Sequence, residues 1–170
     1  GRINIMAYRS HVIKRVVRST LAAETRSALE AVEEGDLVRA HLAEVHGNYD
    51  MKDYRPALNQ IPMVHVTDCR SLYDLIGHRG TIPSERRLLL DIQALRHDVK
   101  HNNVMTRWSN TKQMLADCFT KDDARAADYL RYVLRTGMYA LVEDPYIDAV
   151  LMQERQNHND ERKEHYANKY

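Results

Sequence analysis

The chain has 170 residues, of which 44% are hydrophobic and 29% charged, with a formal net charge of +1. This length allows one globular domain with a sizeable core and a little left over, and the near-neutral balance means that any grip on a polyanion must come from local basic clusters. No apolar run approaches the ~20 residues of a membrane span, and two cysteines, Cys69 and Cys118, exclude a disulfide framework and point to a reducing, intracellular setting.

The start, Gly1-Arg2-Ile3-Asn4-Ile5, has neither an initiating methionine nor the apolar stretch of a signal peptide, and reads as a cut into a longer sequence. Ile3, Ile5 and Ala7 alternate with polar neighbours, Ser10-His11 punctuates, and 13–18 is a second β-branched run, a pattern that predicts a hairpin. A long helix follows over 20–46, capped by Ser19 or Thr20, with Leu29, Val32, Val38, Leu42 and Val45 at helical intervals. Gly35 interrupts its middle. Residues 47–60, with Gly, Asn, Asp and Pro, read as a loop.

Residues 61–67 form a short apolar run expected to be a strand buried on both faces, with Pro62 near its start. A short helix over 69–76, a loop to Pro83 and a strong amphipathic helix over 84–100 come next, the last marked by Leu88, Ile92, Leu95 and Val99. A second strand is expected over Val104–Trp108, then a short helix over 112–121 and a helix over 123–135. Residues 138–142 read as a terminal strand or an extended packing segment. A last helix begins near Asp144, and beyond Gln153 the nearly all-polar tail is a solvated helix, a linker or disorder.

Three carboxylates fall where chemistry often resides. Asp68 follows the first central strand, Asp117 lies in the short helix after the second, and Glu24 sits in the first turns of the long helix. Sites in open α/β sheets form at the carboxyl ends of strands. Asp68 also has a plain structural explanation, as a cap for the helix it precedes. If the three acids converge, their repulsion calls for a cation. A hard divalent ion such as magnesium suits oxygen ligands, and a pair of such ions supports in-line displacement at phosphorus.

The wording around these acids matches a known family. Arg18-Ser19-Thr20-Leu21-Ala22-Ala23-Glu24-Thr25 resembles the Ser-Ser-Thr-Glu-Ala-Glu-Tyr stretch of the ribonuclease H domains of copia-type retrotransposon polyproteins. Val66-Thr67-Asp68-Cys69-Arg70-Ser71-Leu72 resembles that family's strand ending in Asp-Asn-x-Ser. The run from Arg107 through Gln113-Met114-Leu115-Ala116-Asp117-Cys118-Phe119-Thr120-Lys121 is similar to its Val-Pro-Thr-x-x-Gln-Leu-Ala-Asp-x-Phe-Thr-Lys word, and Ala7-Tyr8-Arg9-Ser10 to its Trp-Lys-Ser. The four words appear in order across about residues 1–122.

The resemblance implies a ribonuclease H-like α/β fold, a mixed five-stranded sheet flanked by helices, that cleaves the RNA strand of RNA–DNA hybrids. It makes Glu24, Asp68 and Asp117 the metal-binding catalytic acids for Mg2+, with Mn2+ as a substitute. It places the family's first aspartate on a strand upstream of Gly1, so the domain over 1–122 is expected to lack its first strand. Residues 123–144 would then pack on it as a helix and extended segment, with 145–170 as a helical or disordered tail. The expected partners are an RNA–DNA hybrid and the reverse transcriptase portion of the same polyprotein, in a cytoplasmic particle or the nucleus, with no membrane. The alternative is a decayed or co-opted element that binds nucleic acid or a partner without catalysis.

There are departures from the family pattern. Its Lys-His pair is Leu88-Leu89 here, after Arg86-Arg87, and the first acid of its Glu-Ala-Glu is Ala22. Arg9, Lys14, Arg15 and Arg18 on the hairpin, Arg86 and Arg87, and Lys112 are the candidates for gripping hybrid phosphates, against a plain solvated face. Cys69 and Cys118 read as inert thiols in the absence of a Cys-x-x-Cys. His97 and His101 read as a solvent face in spite of their metal-like spacing, and Trp108 as core rather than as a base-stacking ring.

Overall fold

A polar turn at Ser19 starts α1 (Thr20–Val45). Ser19 is extended, with φ −152° and ψ 158°, and its side chain accepts a hydrogen bond from the Ala22 amide at 3.1 Å, satisfying one of the free amides of the first turn. The helix ends as Gly47 takes φ +72°, a left-handed conformation that costs glycine little, and its amide donates back to Glu44. Gly35 does not break the helix. A β-carbon there would overlap the Met63 sulfur, so the glycine admits Met63 to the helix surface.

The computed structural model describes residues 1–3, 5, 17–47, 52–119, 127–141 and 144–167. It is a mixed α/β protein, mostly helical, and its residues fall into two compact units, one of Ile13–Trp108 and one of Gly1–Val12 with Ser109–Tyr170. The predicted hairpin lies largely outside the described residues.

In the first unit, α2 (Arg55–Gln60) occupies the end of the stretch expected to be a loop. Pro56 sits in its first turn, where a missing amide hydrogen costs nothing, so the proline that suggested a break starts the helix instead. The strands β1 (Met63–Thr67) and β2 (Val104–Trp108) pair in parallel, Met63 opposite Val104 and Thr67 opposite Trp108. A parallel pair needs a long crossover, supplied here by α3 (Arg70–Ile76) and α4 (Arg86–His101). Of the five-stranded sheet implied by the resemblance, these are the two strands present among the described residues.

Apolar residues at helical spacing build the core. Ala28, Leu29 and Val32 of α1 meet Leu72 and Ile76 of α3, Leu95 of α4 and Val104 of β2, while Ala22, Leu75, Leu88 and Ile92 form a second cluster. The expectation that the first strand is buried on both faces is not met. Met63 packs against this core, whereas Val64 and its cross-strand neighbour Met105 are 54% and 47% exposed. An apolar run alone cannot distinguish a two-sided from a one-sided burial.

Two arginines tie the frame. Arg39, 3% exposed, donates from Nη1 to the carbonyls of Leu58, Ile61 and Asn102 at 3.0, 3.0 and 2.7 Å and from Nη2 to Asp36 at 2.5 Å. Arg96 of α4 donates from Nε and Nη2 to the Leu75 carbonyl in the last turn of α3, where helix carbonyls lack intrahelical partners.

His65 lies on β1 with its Nδ1 shielded and without a hydrogen-bond partner. Burial holds its pKa below the usual 6.5, so the neutral ring is the folded form. Its contribution to stability is present above pH 6.5 and is lost as pH falls through the lowered folded value. The melting temperature is therefore expected to fall between pH 7 and 5, and His65→Leu to flatten that slope in thermal melts followed by circular dichroism. An unchanged slope would rule out the ring as its source.

In the second unit, the helix expected over 112–121 is instead two turns of 3-10 helix, Thr111–Gln113 and Leu115–Phe119. The Asn110 side chain accepts from the Lys112 amide at 3.0 Å, the local bond by which asparagine starts a turn. Helix α5 (Ala127–Thr136) buries Tyr129 and Val133 among Ile3, Leu115, Tyr132 and Tyr139. The Tyr129 hydroxyl donates to the Ala140 carbonyl at 2.8 Å, and burial, helped by Tyr129, pushes the Tyr139 phenol up to about 12. Among the described residues, the segment expected to be a terminal strand makes one antiparallel bridge, Met138 with Arg2.

The polar tail is helical. Helix α6 spans Asp144–Ala167, and charge holds it to α5: buried Asp128 pairs with Arg131 and Arg155, and buried Glu154 with Arg135.

Candidate active site

The sheet delivers its residues at one end. Asp68 follows the last residue of β1 and is half-buried, and the turn after it is fixed by two hydrogen bonds. The Cys69 amide donates to Thr67 Oγ1 at 3.1 Å, and Trp108 Nε1, from the last residue of β2, donates to the Asp68 carbonyl at 3.2 Å. Asp68 stands one residue before Cys69, the N-cap of α3.

Glu24 lies on α1, on the second turn after the Ser19 cap. Both carboxylates act on the Cys69 thiol, whose pKa is raised first by burial and then by the negative charges of Glu24 and Asp68. Asp68 stands at the carboxyl end of β1, and Glu24 is near enough for its charge to be felt at the Cys69 thiol. A thiol so raised stays protonated at neutral pH and is a poor nucleophile.

Asp117 belongs to the second unit, in the first turn of the 3-10 helix Leu115–Phe119, with its amide donating to the Met114 carbonyl at 3.3 Å. It helps burial raise the neighbouring Cys118 thiol. Both cysteines are free and half-buried. No set of three or more His, Cys, Asp or Glu is grouped to hold a metal ion among the described residues.

Three of the basic candidates gather. Arg18, Arg86 and Arg87, with Val17, Ala22, Glu85, Leu88 and Asp91, line an open cavity of about 390 Å³ between the start of α1 and the start of α4. All three arginines are exposed. Glu85, the N-cap of α4, makes no side-chain capping bond. Leu88, which replaces a basic residue of the family word, is 5% exposed and part of the core. Lys112 is exposed in the second unit, and Arg9, Lys14 and Arg15 lie outside the described residues. His97 and His101 face solvent, their rings 4.7 Å apart.

Trp108 is the clearest correction. Expected in the core, it is 41% exposed, and the Arg70 guanidinium lies 5.4 Å from its ring centre. The same guanidinium is 5.5 Å from the Tyr73 ring, and Arg79 covers Tyr73 at 5.1 Å. Sequence reasoning missed Arg70, Tyr73 and Arg79. Their signal was a basic residue and an aromatic three apart on one short helix, with a second arginine just past its end.

Comparison with family models, with curated proteins and with solved structures finds no match to this chain. No helix among the described residues is long and apolar enough to cross a membrane.

Proposed function

We propose that the chain is most of a ribonuclease H-like domain of a copia-type retroelement polyprotein, acting on the RNA strand of RNA–DNA hybrids. The observation that supports this reading is the position of Asp68 directly after the first strand of a parallel pair joined by helices, with the charge of Glu24 also felt at the neighbouring Cys69 thiol. The words around both acids are those that resemble the family. Two hard carboxylates beside a protonated thiol fit magnesium better than zinc.

Glu24 and Asp68 would hold the ion, and Asp117 is the third acid that the resemblance assigns. When bound, magnesium (or manganese) neutralises phosphate charge and polarises the attacking water. The chain's own residues do the rest. The Trp108 and Thr67 hydrogen bonds fix the turn that carries Asp68. Arg18, Arg86 and Arg87 supply phosphate-gripping charge in one cavity, which suits recognition of a hybrid by backbone and shape. Hydrolysis joins the water oxygen to phosphorus and releases the 3′ oxygen, leaving a 3′-hydroxyl and a 5′-phosphate. The hybrid and the reverse transcriptase portion of the polyprotein are the partners of this reading.

The test is cleavage of an end-labelled RNA–DNA hybrid in magnesium by this chain fused to an upstream strand carrying the family's first aspartate. RNA-strand cleavage is expected, and Asp68→Asn is expected to slow it on the order of 100-fold or more. Salt-sensitive hybrid binding without cleavage would assign the chain to the non-catalytic alternative. No cleavage, with metal binding unchanged in Asp68→Asn, would overturn the enzymatic reading.

A further inference from the structure

We infer that His97 and His101 of α4 form a binding site for a divalent late transition metal ion of the copper and nickel kind. Their ring centres lie 4.7 Å apart, the rings tilted by 40°, and both side chains are exposed. Both residues belong to the first unit, and neither acid of the proposed nuclease site takes part.

The spacing sets the geometry. Residues four apart on a helix share a face, one turn apart. An ion about 2 Å from one nitrogen of each imidazole lies about 3 Å from each ring centre. Centres 4.7 Å apart then subtend roughly a right angle at that ion. Neighbouring ligands stand at this angle in the tetragonal shells of Cu2+ and Ni2+, and imidazole is a donor that suits both. Water completes the shell on the solvent side.

The local fold holds the pair in place. His101 is the last residue of α4, where helices ordinarily fray, but this end is tied. The Asn102 amide donates to the Asp98 carbonyl at 2.8 Å, and Arg39 of α1 donates to the Asn102 carbonyl at 2.7 Å. The Asp98 carboxylate accepts from Asn102 Nδ2 at 2.8 Å and lies 3.7 Å from His97 Nδ1. A carboxylate beside one ring nitrogen favours the proton there and leaves the other, Nε2, to ligate.

Of the charged groups near the pair, Asp98 favours a cation, Asp36 of α1 is paired with Arg39, and Lys100 opposes. The carbonyl end of α4 adds partial negative charge. Without an ion the arrangement gains little, since charged rings one turn apart repel and neutral rings at the surface bury little apolar area. A bridging ion makes the same spacing a staple across the end of the helix.

The test uses the full chain and metal salts alone. The first equivalent of Cu2+ is expected to bind with a measurable heat, and its paramagnetic resonance spectrum to show coupling to two imidazole nitrogens. Excess Mg2+, a hard cation, is expected not to displace it. His97→Gln and His101→Gln should each weaken binding about tenfold or more, and Asp98→Asn about tenfold, the usual effect of losing the outer partner of a ligating histidine. His158→Gln, on α6, should leave it unchanged. In the His101→Gln background, Gln93→His rebuilds an exposed pair one turn back and should restore affinity, which a misfolded variant would not do. Saturating Cu2+ should also raise the melting temperature of the parent chain and not that of His97→Gln, because only the folded pair holds the ion. Copper bound with unchanged affinity in both single variants would overturn the inference, and so would the absence of any binding heat at submillimolar Cu2+.

Discussion

Replacing Arg39 with methionine is expected to lower the stability of the fold by about 3–5 kcal/mol, the cost of breaking a buried charged network by removing one member. The guanidinium is the hydrogen-bond donor for three carbonyls at once, those of Leu58, Ile61 and Asn102. Ile61 lies just before β1, and Asn102 just before β2. One side chain of α1 therefore fixes the starting points of both strands. Methionine fills much of the volume but leaves these carbonyls and Asp36 without it, and buried groups stripped of a partner bear their full desolvation cost. Arg39→Lys should recover only part of the loss, because an ammonium lacks the planar fork. Urea unfolding followed by circular dichroism measures both. A loss below about 1 kcal/mol in the methionine variant would mean that the carbonyls find other donors and that Arg39 does not set the strand starts.

The second large effect is expected at Asp128, whose substitution by alanine should release α6 from α5. Asp128 is 1% exposed and accepts from both Arg131 and Arg155. Among the side chains described from Met152 onward, Glu154 alone is buried, and it too is held by an arginine. Apolar burial therefore contributes little to this stretch of α6, and charge contributes most. The expected cost is about 2 kcal/mol, less than for a wholly buried network because both arginine partners are partly exposed. Hydrogen exchange over Asp144–Ala167 should quicken in the variant. High salt should quicken it in the parent protein as well, since the pairs reach solvent. Unchanged exchange in both experiments would show that contacts other than these pairs hold the helix.

Where the sequence reading succeeded, it rested on periodicity. Leu88, Ile92 and Leu95 repeat at helical intervals, and all three are buried in α4. The short runs read as strands at 61–67 and 104–108 are strands, paired in parallel across two helices. The reading failed where a residue's role depends on what meets it. Arg39 looks like any charged helix residue until three carbonyls from elsewhere in the chain converge on it. Pro56 reads as a breaker unless its position within the first turn is known. Trp108 carries a large apolar ring, and only the placement of Arg70 and the Asp68 carbonyl shows why it stays at the surface.

The site divides in the same way. Glu24 and Asp68 stand out in the sequence because each follows a clear start or end of an element, and such positions are where α/β sheets gather polar groups. Asp117 stands out by its surrounding word, and its predicted helix is two 3-10 turns rather than one α-helix. The stacking of Arg70 and Arg79 on Trp108 and Tyr73 was not legible, because its members come from a helix, from the turn beyond it and from a strand some thirty positions later.

The contact between Gly35 and Met63 bears on how this sequence can drift. A glycine in mid-helix gives up about 1 kcal/mol relative to alanine, so mutation toward alanine would ordinarily be favoured at position 35. The Met63 sulfur occupies the space that the new methyl group would need. The sulfur belongs to the far end of a flexible side chain, so a methyl group at 35 is admissible once Met63 turns aside, and the two positions are coupled only as strongly as that turn costs. Among descendants of this chain, alanine at 35 should occur with a re-oriented methionine at 63 as well as with a shorter side chain.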